Sequence, residues 1–226
     1  MQWWQTSIHF LDLVGTFIFA VTGAVRGIHR NFDLLGVTVL ACAVGVGGGI
    51  MRDCVIGAAP VMALKNEQYL LLCIATGVGV FFCGGRGIFR KDAVILWCDA
   101  VGLGVFTAIG AEKGMLYGLP TVGIILSGVL TAIGGGVIRD VLSGKVPALL
   151  KSDFYATASL LGGILFCLLA KADLSPSVIF ASAAIFVTGL RILAIHFQMR
   201  LPRAREYTVF LLRRAKKKKL FSMLFF

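Results

Sequence analysis

Gly47-Gly48-Gly49-Ile50-Met51-Arg52-Asp53 sets three helix-weakening residues just before a charged pair, and Gly134-Gly135-Gly136-Val137-Ile138-Arg139-Asp140 repeats the arrangement 87 residues later. Each glycine inside a helix costs about 1 kcal/mol relative to alanine. Three in succession make a point where a helix can kink or unwind, and an opened turn offers carbonyl oxygens to a cation. Arginine follows the last glycine by three and the middle one by four, so it shares their helix face. Helical side chains lean toward the N-terminus. Arg52 is thus expected back over Gly48–Gly49, and Arg139 over Gly135–Gly136, each with a carboxylate about 100° round the helix at Asp53 or Asp140. A charge held at membrane depth marks an ion or substrate route. A second reading makes the glycines a close-packing surface between helices. In that case Arg52, about 27 Å along a straight helix from Leu34, reaches the far headgroups.

Asp12 and Asp99 form another pair at the same spacing. Each suits either the positive end of a helix or the mouth of a pore. His9, His29 and His196 have no ligand-like spacing, and the six cysteines lie in apolar surroundings without a Cys-x-x-Cys pair, so neither a metal site nor a disulfide is expected. The sequence has no Walker loop, no Gly-x-Gly-x-x-Gly, no Gly-x-Ser-x-Gly and no His-Glu-x-x-His. An enzyme is not expected, and no cofactor is implied.

The elements that must carry these residues are set by composition. The chain is 58% hydrophobic and 15% charged over 226 residues, with mean hydropathy +0.90. A soluble domain is nearer half apolar and a quarter charged, which excludes an ordinary water-soluble globule, a disordered chain and a disulfide-stapled one. Stretches of about 20 apolar residues predict spanning helices at about 7–25, 34–57, 68–84, 93–111, 120–142, 154–171 and 176–197. Polar punctuation separates them, including Arg26–Asn31, Gly84–Lys91 and Glu112-Lys113. The first span lacks a basic leader and a small-residue cleavage site, so it is expected to stay as a helix. The formal charge of +11 is a property of one end: from Arg191 onward ten bases face one acid, while residues 1–190 carry 12 bases and 10 acids. A basic tail interleaved with apolar residues is expected on anionic lipid rather than on nucleic acid. Lys and Arg counts put the C-terminus in the cytoplasm and, with seven crossings, the N-terminus outside.

Sliding the chain by 87 lays Asp12 on Asp99 and Pro60 on Pro147 without a gap, with 15 identities in 49 positions, Phe19 on Phe106 among them. An odd number of crossings per unit inverts the second unit. The expected architecture is an all-α membrane protein of seven transmembrane helices, an inverted 3+3 repeat plus one extra helix. Its parts are residues 1–92, 93–175, a seventh helix at 176–197 and a basic tail at 198–226. Composition and architecture leave a passive cation channel, a secondary transporter of a small solute such as glycine, and a membrane scaffold.

Two tandem three-helix units, each with Gly-Gly-Gly-x-x-Arg-Asp in its second helix, followed by a seventh helix, resemble the prokaryotic branch of the trimeric intracellular cation (TRIC) channels, whose repeated domain also bears the label glycine transporter. The resemblance covers residues 5–197. It implies a homotrimer in a bacterial or archaeal plasma membrane, with a pore in each protomer passing potassium and sodium. That pore would run between the second and fifth spanning helices, with hinges at Gly47–Gly49 and Gly134–Gly136 and basic pore residues at Arg52 and Arg139. These arginines, paired with Asp53 and Asp140, would restrict the path at rest.

Overall fold

The structure, a computed structural model, describes residues 2–84, 92–151, 154–172 and 174–199. These residues form nine helices: α1 (Gln2–His29), α2 (Leu34–Ile56), α3 (Met62–Lys65), α4 (Glu67–Cys83), α5 (Asp92–Leu116), α6 (Thr121–Leu142), α7 (Ala148–Lys151), α8 (Ala156–Ala170) and α9 (Pro176–His196). Five of them, α1, α2, α5, α6 and α9, are long and apolar enough to cross a membrane, while α4 and α8 are shorter apolar helices.

Helix ends follow local chemistry. The Asp33 carboxylate accepts from the Gly36 N–H at 2.7 Å and starts α2, and the Asn66 side chain accepts from the Gln68 N–H at 3.1 Å to start α4. Pro176 occupies the first turn of α9, where its missing N–H is no loss. Gly57 (φ 73°) and Gly144 (φ 66°) take the left-handed conformation just after α2 and α6, and the following residues return N–H bonds to the carbonyls of Asp53 and Asp140, both at 2.8 Å.

The element order α1-α2-α3-α4 recurs as α5-α6-α7-α8, with α9 added. The core has two parts: one joins α1, α2 and α4 through Ala24, Val37 and Tyr69, and the other joins α5, α6, α8 and α9 around Leu103, Phe106, Phe166 and Val187. Phe19, Leu40 and Val44 of the first unit belong to the second core, so the units interlock. Large apolar side chains such as Leu35, Val55, Phe82 and Ile185 face outward, whereas Arg26, Arg52, Asp53, Asp99, Glu112, Arg139, Asp140 and Arg191 are buried. Apolar outside and charged inside is the arrangement of a bundle dissolved in lipid. The chain is an all-helical membrane protein.

Several expected boundaries shift. Helix α1 continues to His29, so Arg26 is a buried helical residue rather than loop punctuation. Likewise α5 runs to Leu116 and takes in Glu112 and Lys113. In α5 the cause is visible: Lys113 reaches the buried Asp53 at 2.8 Å, so the polar pair does not end the helix. The one-turn helices α3 and α7 were not expected. Arg86, Arg90, Lys91 and all but two residues of the 198–226 tail lie outside the described residues.

Candidate functional site

The two charged pairs sit at the C-terminal ends of α2 and α6, each at the centre of a buried cluster. In the first, Arg52 Nε and Lys113 Nζ both donate to Asp53 Oδ1 at 2.8 Å. The backbone N–H of Met62 donates to Asp53 Oδ2 at 2.9 Å. The helix thus stops at Gly57 and folds α3 back onto its own terminal carboxylate. Beside it the Tyr69 hydroxyl donates to Asp12 Oδ2 at 2.6 Å, and His9 lies with Nδ1 3.2 Å from that hydroxyl and Nε2 3.1 Å from Gln68 Oε1. Such charge-assisted bonds are the strong ones in a low-dielectric interior.

In the second cluster Arg139 Nε donates to Asp140 Oδ1 at 3.0 Å, and Arg139 Nη1 donates to Asp99 Oδ1 at 2.8 Å. The same Nη1 reaches Thr22 Oγ1 at 3.4 Å. The N–H of Ala148 donates to Asp140 Oδ2 at 2.8 Å, the counterpart of the Met62 bond. The Arg191 guanidinium stands 5.0 Å above the ring of the fully buried Tyr155, a cation–π contact. The clusters are similar without being identical. Arg139 bridges two carboxylates on different helices, whereas Asp53 is shared by two cations and Asp12 is held by a tyrosine.

The triple glycines do not open their helices, because α2 and α6 each run unbroken through them. A Cβ on Gly48 would overlap the Thr131 carbonyl, and one on Gly135 would stand 2.5 Å from the Val44 carbonyl. The glycines therefore let α2 and α6 cross backbone against backbone. This corrects the expectation of an unwound turn: bare backbone buried against a neighbouring helix keeps its own hydrogen bonds and gains packing. The arginines do lie back along their helices, with Arg52 Nη2 and Arg139 Nη2 each 3.7 Å from a Cβ built on Gly49 or Gly136.

A cavity of about 490 Å³ opens beside the first cluster, lined by His9, Asp12, Asn66, Tyr69, Lys113 and Tyr117 among others. It shares Asp12, Met62 and Tyr69 with a deeper chamber that ends at Thr16, Gly45, Phe106 and Thr131 and has about 20 Å³ of room, enough for one water. Among the described residues no group of three or more His, Cys, Asp or Glu gathers to hold a metal.

All six predicted charged residues fall in these clusters: Asp12, Arg52 and Asp53 in the first, Asp99, Arg139 and Asp140 in the second. Sequence reading missed Lys113, Tyr69, His9, Thr22 and Tyr155. A signal existed for some of them. Lys113 stands 87 after Arg26, so a basic residue recurs without an identity, and Tyr155 stands 86 after Tyr69, one residue out of register.

The family described as glycine transporter matches this chain twice, at residues 9–84 and 96–171. The "UPF0126 membrane protein" of Vibrio cholerae is 35% identical over 86% of this chain and 82% of its own length. The Escherichia coli K12 inner membrane protein YadS is 32% identical over 86% of this chain and 95% of its own. Among solved structures, the TRIC trimeric intracellular cation channel orthologue from Rhodobacter sphaeroides superposes with a TM-score of 0.81 at 34% identity, covering 86% of this chain and all (100%) of that one. A TRIC counter-ion channel at 16% identity and TM-score 0.59 shares the fold. With two matches to the family and relatives aligned over nearly its whole length, the chain belongs to the glycine transporter family, that of the prokaryotic TRIC channels.

Proposed function

We propose that this protein is a monovalent cation channel, passing potassium and sodium, with one pathway in each protomer of a homotrimer. The observation that carries the reading is a line of polar groups inside an apolar bundle. His9, Asp12 and Thr16 descend one face of α1 from the open cavity, and Thr22 with the Arg139–Asp99 pair continues it on the far side. Buried charge in lipid is costly, and an ion route is what it ordinarily serves. The Rhodobacter sphaeroides relative is a trimeric cation channel, which supports the trimer and the transported class.

Seven crossings follow when the shorter apolar helices α4 and α8 join the five long ones. Three crossings per unit then turn the second unit upside down, with units at 1–92 and 93–175 and the 176–197 helix added. The pathway runs beside the α2–α6 crossing, between it and the polar face of α1. Arg52 and Arg139, clamped to Asp53, Asp99 and Asp140, hold it shut at rest, and Gly47–Gly49 and Gly134–Gly136 give α2 and α6 room to slide. Asp12 faces the mouth. The basic tail at 198–226 lies on anionic lipid at the cytoplasmic face, and no nucleic acid, metal or cofactor takes part.

Reconstitution separates this from solute transport. Purified protein in vesicles should carry a voltage-driven potassium flux that does not saturate, and should accumulate no labelled glycine. Saturable, competable glycine uptake without potassium current would overturn the channel.

A further inference from the structure

Helix α1 carries Asp12, Phe19 and Arg26, and α5 carries Asp99, Phe106 and Lys113, each series spaced by seven. Seven residues are nearly two turns, so acid, ring and base share one helix face with about 10 Å between neighbours. The two helices cross in opposite directions. Asp12 from the start of α1 and Lys113 from the end of α5 line one cavity, while the two rings meet between the clusters with centroids 4.9 Å apart and planes tilted by 56°. Each ring is seated on glycine. A Cβ on Gly15 would stand 3.0 Å from the Phe106 ring, and a Cβ on Gly135 would stand 2.8 Å from Phe19, with Gly102 closer still. Gly15 and Gly102 are themselves 87 apart.

The surroundings of this pair turn a packing contact into a barrier. On one side the one-water chamber ends at Thr16, Thr131 and Phe106. On the other, Thr22 is within reach of Arg139 Nη1 at 3.4 Å. Between Thr16 and Thr22, about 9 Å of α1, the α1–α5 contact includes the two rings, 1% and 5% exposed. A hydrated cation entering this stretch meets two apolar rings that cannot replace its water, and apolar constrictions of this kind close pores by drying.

We infer that the Phe19–Phe106 ring pair is the dry barrier of the cation pathway, and that ions cross when the rings part. The inference rests on the channel reading above. Because the two rings close the stretch together, truncating either one opens it, although Phe106 faces the chamber and Phe19 does not.

The test is the mean potassium current per reconstituted trimer in a planar bilayer. Phe106→Ala and Phe19→Ala should each raise it on the order of tenfold, the scale of one lost aromatic contact. Phe106→Leu, which keeps the core apolar, should raise it less, and Phe106→Trp should leave it at or below wild type. A residue that merely packs the core would lower the current when truncated, through loss of folded protein. Conducting wild type with alanine and leucine variants at or below its current would overturn the barrier while leaving the channel standing. Silence of every folded protein would remove both readings, and a silent wild type with conducting alanine variants would support both. If the alanine variants do not elute as intact trimers, Phe106→Leu decides alone: a raised current supports the barrier and an unchanged or lowered one overturns it.

Discussion

At the scale of single residues, the two arginines differ in what they leave behind. Arg139 bonds Asp99 and Asp140 at once, so its removal takes the bonded cation from a carboxylate on α5 as well as from one on its own helix, where Asp140 keeps the Ala148 N–H at 2.8 Å. Arg52 bonds Asp53 alone, and Asp53 keeps Lys113 at 2.8 Å and the Met62 N–H at 2.9 Å when Arg52 is lost. Breaking a buried pair costs about 3–5 kcal/mol because the surviving charge stays buried. Arg139→Gln should therefore lower the thermal unfolding temperature of the detergent-solubilised protein well below that of Arg52→Gln, and adding Asp99→Asn should restore part of the loss. Equal shifts for the two arginine variants would mean that Asp99 is neutralised by another group. The doubled Arg-Asp motif was visible in the sequence. Which cluster is the bridged one was not, because Lys113 and Tyr69 reach their acids from helices distant in the chain.

At the scale of elements, the glycine block has a packing role that its composition does not specify. Three consecutive glycines read equally well as a weak point or as a contact surface, since both want missing side chains. The neighbour decides, and here Gly48 and Gly135 each face a carbonyl of the other helix. Gly49 faces open space apart from Arg52 Nη2 at 3.7 Å. Alanine should therefore separate these positions: Gly48→Ala and Gly135→Ala should force α2 and α6 apart and reduce recovery of folded protein. Gly49→Ala should leave recovery unchanged and gain up to about 1 kcal/mol from helix propensity. Gel filtration of the three variants checks this. Uniform tolerance would show that the crossing is looser than its carbonyl contacts require. The helix boundaries follow the same logic. Capping by Asp33, Asn66 and Pro176 is local and legible, but the extension of α1 past Arg26 and of α5 past Lys113 is tertiary. Hydropathy counts a charge as an ending, and only a buried partner turns it into an interior residue.

At the scale of the whole molecule, the 87-residue offset makes a prediction about sidedness. The offset reappears in the element order, in the paired left-handed glycines 57 and 144 and in the Phe19–Phe106 contact. None of these depends on a membrane. If the two units enter the bilayer in opposite senses, equivalent positions must surface on opposite faces. Arg30 and Tyr117 are 87 apart, and both are exposed just beyond the C-terminal ends of α1 and α5. The excess of Lys and Arg predicts Arg30 on the cytoplasmic side. Lys113, at the mouth of the cavity, then falls on the outside with Tyr117. In a background with the six native cysteines replaced, Arg30→Cys should resist a membrane-impermeant maleimide in intact cells and react once the membrane is opened, whereas Tyr117→Cys should react from outside. Labelling of both from one face would mean that an even number of helices separates them. The antiparallel α1 and α5 would then not reach opposite surfaces, and the shared polar line through them could not run from one side of the membrane to the other.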